Sequence, residues 1–239
     1  MRTILMPVAL LALLALGAGC TPPITGVSGS GNVVTREERI SGFDKVEASR
    51  AFKVDIRQGE SFSVVVRIDD NLLDYLILEK QGSTLRIGLK PNLSLRKHTA
   101  EAEITMPELT GLELSGACQG KITGFASGGA LRMKVSGASQ MRGDIEARDA
   151  RFDVSGASQM TLSGSGADLT LDASGASIID LSDFSVVDAD VEVSGASKAT
   201  VSASGRLDVN ASGASTVIYL GNPTMGRVNT SGASSIRQK

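Results

Sequence analysis

Ser-Gly-Ala-Ser, or a one-residue variant of it, occurs seven times in a chain of 239 residues. The copies begin at Ser115, where the fourth residue is Cys118, and then at Ser136, Ser155, Ser174, Ser194, Ser212 and Ser231. Successive copies lie 21, 19, 19, 20, 18 and 19 residues apart, a fixed period and not a compositional bias. A period near 20 is the signature of a solenoid, in which each repeat buries its apolar face only against its neighbours.

The residues around each copy define the kind of solenoid. One, three and five positions before the first Ser stand Val135, Met133 and Leu131, then Val154, Phe152 and Ala150, then Ala173, Leu171 and Leu169. Charged or polar residues fill most of the positions between, and strict alternation marks a strand with one buried face. A second apolar pair follows five and seven positions after that Ser: Met160 and Leu162, Ile179 and Leu181, Ala199 and Val201, Val217 and Tyr219. Each repeat therefore holds two short strands and a bend. About 19 residues are too few for a βαβ unit, which takes roughly 30 or more. They suffice for one coil of a parallel β-helix, in which six steps of about 4.8 Å give a rod of about 29 Å. Gly137, Gly156, Gly175, Gly195, Gly213 and Gly232 then fall at a sharp corner where coils pass closely, with Ser136, Ser155, Ser174, Ser194, Ser212 and Ser231 beside them.

Composition fits a narrow interior. There is no Trp, with two Tyr, six Phe and 27 Gly, and a net charge of -2 gives no reason to expect nucleic acid or an anionic membrane surface as partner. Residues 33–110 lack the tetrapeptide but still alternate, as in Phe52, Val54 and Ile56, or Leu85, Ile87 and Leu89. They read as a less regular N-terminal β segment, either first coils or a cap, with one helical turn over residues 69–76. The tetrapeptide repeat itself occupies residues 111–239.

The N-terminus carries an address. A positive Met1-Arg2 end and an apolar run over residues 4–16 form a signal peptide, residues 1–19, too short to span a membrane. Leu16-Gly17-Ala18-Gly19-Cys20 resembles the bacterial lipoprotein box. That resemblance implies lipidation of Cys20, tethering to a membrane through acyl chains and, with Thr21 after the cysteine, an outer-membrane location. Residues 20–32, with Pro22, Pro23 and several glycines, read as the lipidated cysteine and a flexible stalk.

Chemistry-bearing motifs are sparse. Cys118 is the cysteine left over and stands in a small corner slot. His98, the single histidine, sits in a basic loop with no second ligand near it in sequence. No nucleotide-binding, metal-spacing or cofactor motif is recognisable. Two positions before each tetrapeptide stand Glu113, Lys134, Asp153, Asp172, Glu192, Asn210 and Asn229. In register, Asp153 and Asp172 become neighbours on adjacent coils, with Glu192 next, a surface ladder of outward carboxylates.

Gly29-Ser30-Gly31-Asn32-Val33-Val34, Ser41-Gly42-Phe43-Asp44-Lys45-Val46, Asp70-Asn71-Leu72-Leu73-Asp74-Tyr75, the Leu89-Lys90-Pro91 break, Met106-Pro107-Glu108-Leu109 and the tetrapeptides together resemble the auto-transporter adhesin head GIN domain family (DUF2807). The resemblance implies an all-β, right-handed parallel β-helix of the pectin-lyase type, usually exported, without a catalytic set. The expected function is a non-enzymatic binding or adhesion module of the cell envelope for an extended partner, a glycan or an envelope protein. The alternatives are a polysaccharide lyase or hydrolase acting through Asp153 and Asp172, and a structural spacer.

Overall fold

In the computed structural model, which describes residues 26–91, 93–126 and 128–239, almost every described residue from Val33 onward lies in or between β-strands. The first nine strands are β1 (Val33–Glu38), β2 (Lys45–Ser49), β3 (Lys53–Gln58), β4 (Ser63–Asp69), β5 (Leu76–Gln81), β6 (Thr84–Leu89), β7 (Ala100–Met106), β8 (Gly111–Ser115) and β9 (Gln119–Ala126). The rest are β10 (Ala130–Val135), β11 (Gln140–Val154), β12 (Gln159–Ala173), β13 (Ile178–Val186), β14 (Asp188–Val193), β15 (Lys198–Ala203), β16 (Arg206–Ala211), β17 (Thr216–Leu220), β18 (Thr224–Thr230) and β19 (Ser235–Gln238). The helical turn expected over residues 69–76 is a 3-10 helix, Asp70–Tyr75.

These strands form the parallel β-solenoid that the repeat period predicts. Strands entering a tetrapeptide corner stack in one ladder, sheet A, which runs β8, β10, the second half of β11, the second half of β12, β14, β16 and β18. Strands leaving the corner stack in a second ladder, sheet B, which runs β9, the first halves of β11 and β12, β13, β15, β17 and β19. The apolar alternation of the sequence points inward in both. Phe152, Leu171, Val191 and Val209 stack beneath sheet A, and Met141, Met160, Ile179, Ala199 and Val217 beneath sheet B, all buried. Burial of such columns stabilises the coils by about 25 cal/mol per Å² of apolar surface. Unequal steps between copies are absorbed away from the corner, by register shifts between Gly143 and Ile145 and between Leu181 and Ser185.

At each corner the glycine is left-handed, with φ of 78° at Gly137, 75° at Gly156, 78° at Gly175 and 73° at Gly195. A Cβ on Gly175 would sit 2.5 Å from the carbonyl oxygen of Gly156. Glycine is required there on both counts. The corner also continues the hydrogen-bond ladder: Ala176 N donates to Gly156 O at 2.8 Å and Ala196 N to Gly175 O at 2.7 Å. The fourth residue turns inward, giving a buried column of Ser139, Ser158, Ser177, Ser197 and Ser215 under Cys118. Ser139 Oγ donates to Ser136 O at 2.8 Å and Ser177 Oγ to Ser174 O at 2.7 Å, so the two serines of one tetrapeptide close its own turn. Ser158 Oγ is buried without a hydrogen-bond partner among the described residues.

The N-terminal segment combines coils and cap. Strands β2 and β3 form a coil sandwiched between β6 and β7 on one side and β8 and β9 on the other, all in parallel register. Its corner is Ser49-Arg50-Ala51-Phe52, with left-handed Arg50 (φ 61°) and Ala51 (φ 59°) where later coils have Gly and Ala. Antiparallel strands complete the end: β5 pairs with β6, and β4 joins β7 to β1. The stretch expected as a stalk differs from that expectation over residues 26–32. Gly31 N donates to the buried Asp69 carboxylate at 2.9 Å, Ser30 N to Asn71 Oδ1 at 3.0 Å, and Asn32 Nδ2 to Asp70 Oδ2 at 2.8 Å. Backbone and side-chain donors of this stretch are thus tied to the side chains of Asp69, Asp70 and Asn71 at the start of the 3-10 helix. Residues 1–25, including Cys20, lie outside the described residues.

Candidate binding surface

Parallel register turns every outward position into a column, and the columns define the surface available to a partner. On sheet A, Glu113, Lys134, Asp153, Asp172, Glu192, Asn210 and Asn229 stack in the order their spacing predicts. Asp153 and Asp172 are direct neighbours, but cations from the next column already serve them. Arg151 lies 3.4 Å from Asp153 and 3.0 Å from Asp172, and Arg132 lies 3.0 Å from Asp153. A guanidinium bridges the two carboxylates that an acid and base pair would need free. Glu192 has a different neighbour, the Asn210 amide at 3.5 Å. An open depression of about 330 Å³ runs over this column, lined by Lys134, Asp153, Asp172, Glu192 and the corner residues Ser155, Ser174 and Ser194.

The repeat corners form a rim. Gly and Ala of each tetrapeptide are exposed there, the first Ser is partly covered except at Ser174 and Ser231, and the fourth residue is buried in every copy but the last. Cys118 is fully buried, its thiol donates to Ser115 O at 3.1 Å, and burial pushes its pKa up. The corner position thus keeps this thiol in the unreactive form. His98 sits in the loop that flanks Val27, its Nδ1 lying 2.7 Å from Arg96 O. Among the described residues no cluster of three His, Cys, Asp or Glu side chains is arranged to hold a metal ion.

Sheet B carries columns that the sequence reading passed over. Gln119, Gln140 and Gln159 stack outward in register, and Lys121, Arg142 and Thr161 stack two positions further along the same strands. A groove of about 400 Å³ lies between these columns, which Lys53 and Asp55 of β3 continue in register, Lys53 beside Gln119 and Asp55 beside Lys121. The signal was present: Gln follows the tetrapeptide directly in its first three copies. Lys121 and Arg142 likewise stand six positions after the first Ser of their copies, and the register sets one beside the other. Charge is also segregated along the rod. Residues 144–222 hold twelve Asp and Glu against four Lys and Arg, a local net charge of -8 in a chain whose total is -2.

Comparison with known proteins agrees with this architecture. The family model described as "Putative auto-transporter adhesin, head GIN domain" matches residues 42–223. Among solved structures, a "putative adhesin" from Bacteroides fragilis is similar at 18% identity with a TM-score of 0.79, covering 90% of this chain and 100% of that one. A "Putative lipid binding protein" from Parabacteroides distasonis is similar at 22% identity with a TM-score of 0.70, covering 89% and 99%. A "putative adhesin" from Parabacteroides merdae is similar at 15% identity with a TM-score of 0.69, covering 90% and 99%. At these identities the likeness establishes the fold. A search of curated protein sequences finds no match.

Proposed function

The chain belongs to the auto-transporter adhesin head GIN domain family, and from that premise we propose that it is an exported, membrane-anchored envelope lipoprotein acting as a non-enzymatic binding or adhesion module. Its partner is an extended one, a glycan or another envelope protein. The observation that carries the reading is the in-register stacking of outward side chains on two open faces over a sealed apolar interior. A surface that repeats the same group every coil engages a repeating polymer at several weak points, and such contacts multiply into useful affinity. The fold alone transfers shape and not chemistry, so the reading rests on the faces themselves.

Anchoring is proposed from the N-terminal sequence: residues 4–16 as signal core and Gly19-Cys20 as the lipidation point, with the acyl chains holding the rod in the outer membrane. No helix among the described residues is long and apolar enough to cross a membrane. The lyase or hydrolase alternative rests on Asp153 and Asp172, and the Arg151 bridge between them ranks it second.

The test is retention of a panel of envelope and host polymers by the purified protein, with newly formed chain ends recorded in parallel. Retention without new ends is the expected result. New ends that vanish in Asp153→Asn/Asp172→Asn would replace the binding module with the enzyme. Metabolic labelling with a fatty acid, lost in Cys20→Ser, checks the anchor.

A further inference from the structure

Lys121 and Arg142 are direct in-register partners on adjacent coils of sheet B, both exposed. Their side chains form no ion pair or hydrogen bond with any described residue. Like charges opposite one another in a sheet are destabilising. Elsewhere on the rod the same situation is neutralised: Arg132 and Arg151 also stack, but Asp153 and Asp172 lie within 3.4 Å of them. Asp55 of β3 is the in-register neighbour of Lys121 on its other side, and Asp144 follows Arg142 two positions on along β11, but each holds another group. Asp55 is paired with Arg57 at 3.1 Å, and Asp144 accepts the Gly124 N–H at 2.8 Å. Two cations without an ion pair of their own therefore stand in one wall of the groove, beside Asp55 and Asp144, and the planar amides of Gln119 and Gln140 stand in the other, with Gln159 in register beyond them.

We propose that this groove binds an acidic polysaccharide, with its carboxylate or sulfate groups on Lys121 and Arg142 and its hydroxyls on Gln119, Gln140 and Gln159. The proposal rests on the binding-module reading and narrows it to one ligand class and one face. Each glutamine amide offers donors and an acceptor, which suits hydroxyl groups that do both. The arginine fork matches a carboxylate or sulfate in two parallel hydrogen bonds. No aromatic side chain lines the groove, so the stacking platform on which single-stranded nucleic acids rely is missing from it. The groove runs along the stacking axis, across the strands, so the chain it accepts is extended. Its length is bounded too. The cation column passes through Thr161 to Asp180, where the acidic coils begin, which limits the contact to about 14 Å over three coil steps.

The test uses the full chain on immobilised polygalacturonate, with neutral dextran and duplex DNA as competitors, at several salt concentrations. Retention that weakens with salt is expected. Lys121→Gln/Arg142→Gln should lose roughly tenfold in affinity per cation removed. Its thermal midpoint should stay level or rise, because a repulsion has been relieved. Thr161→Lys adds a third cation to the column and should strengthen retention, an outcome that a folding defect cannot mimic. Equal retention by the double glutamine variant, dextran competing as well as polygalacturonate, or duplex DNA bound as tightly as the glycan would each overturn the groove assignment and leave the adhesion reading intact. If no polymer or envelope protein is retained at all, the binding-module reading itself falls.

Discussion

From β10 onward each coil stacks on the coil before it in the chain, whereas β2 and β3 pair with strands 39 and more residues away on both sides. The two regions use one corner geometry under different constraints. In the later coils a Cβ on the corner glycine would meet the preceding glycine's oxygen at 2.4 Å for Gly156 and 2.5 Å for Gly175. At Gly116 the nearest atom is Arg50 N at 3.3 Å, and at the β2–β3 corner a full Arg50 side chain is accepted, because β6 ends at Leu89, beside Ser49, and does not continue into a matching Ser-Gly-Ala corner. The glycine requirement thus belongs to the stacking of corners on corners and not to the bend alone.

The sharpest way to break that comparison is Gly175→Val against Arg50→Gly. The first places a branched side chain in a left-handed, covered position and should cost about 3 to 5 kcal/mol in denaturant unfolding. The second relieves a left-handed arginine at an open corner and should leave stability within about 1 kcal/mol of the parent, or above it. Equal losses in both would end the distinction.

A smaller but still large effect is expected at the cap. Asp69 accepts N–H groups from Gly31 and from Thr99, the latter at 2.7 Å, and Asp69→Ala strands both donors. A loss of about 2 to 4 kcal/mol follows, read as unfolding free energy together with faster amide exchange at Gly31 and Thr99. Within the regular coils the inner serines separate the two possible roles of a buried hydroxyl. Ser177→Ala removes a bond to Ser174 O and should cost about 1 kcal/mol, while Ser158→Ala removes an unpartnered oxygen and should be neutral or stabilising.

The smallest effects concern pH at the two ends. Hydrogen bonding from Arg206, then from the Arg227 N–H, holds the Asp208 carboxyl at about 2, and the Ser30 hydroxyl, then the Asn32 amide, lowers Asp70. Because both folded values lie below the ordinary carboxylate range, the stabilisation is present above about pH 4 and is lost as pH falls, through about 2 for Asp208. Thermal melts from pH 5 to 2 should show a decline that is shallower in Asp208→Asn.

Repetition made the regular half readable. Seven corners, the parity of Met133, Phe152, Leu171 and Val191, and the stacking of Asp153 on Asp172 all follow from counting, because identical coils impose identical environments. The corner at Arg50 escaped notice since Arg stands where Gly was sought, although Ser49 and Ala51 keep the motif and Val46 and Ala48 keep the parity. Insertion of β2 and β3 between two later strand pairs is a matter of long-range topology, on which local alternation is silent. The sheet B groove was hidden for a third reason. Lys121 and Arg142 look like scattered solubilising charges until the register sets them side by side, and only the structure shows that neither forms an ion pair with a described residue.

The buried placement of β2 and β3 also dictates where such a molecule is able to change in size over evolutionary time. A duplication or loss of one coil between β10 and β19 only lengthens or shortens the stack, since the flanking corners meet again with the same geometry. Removing residues 45–58 would instead take out a middle slab and leave β6 facing β8 across the gap. Variation in rod length is therefore confined to one side of the molecule, while the other side is inherited whole.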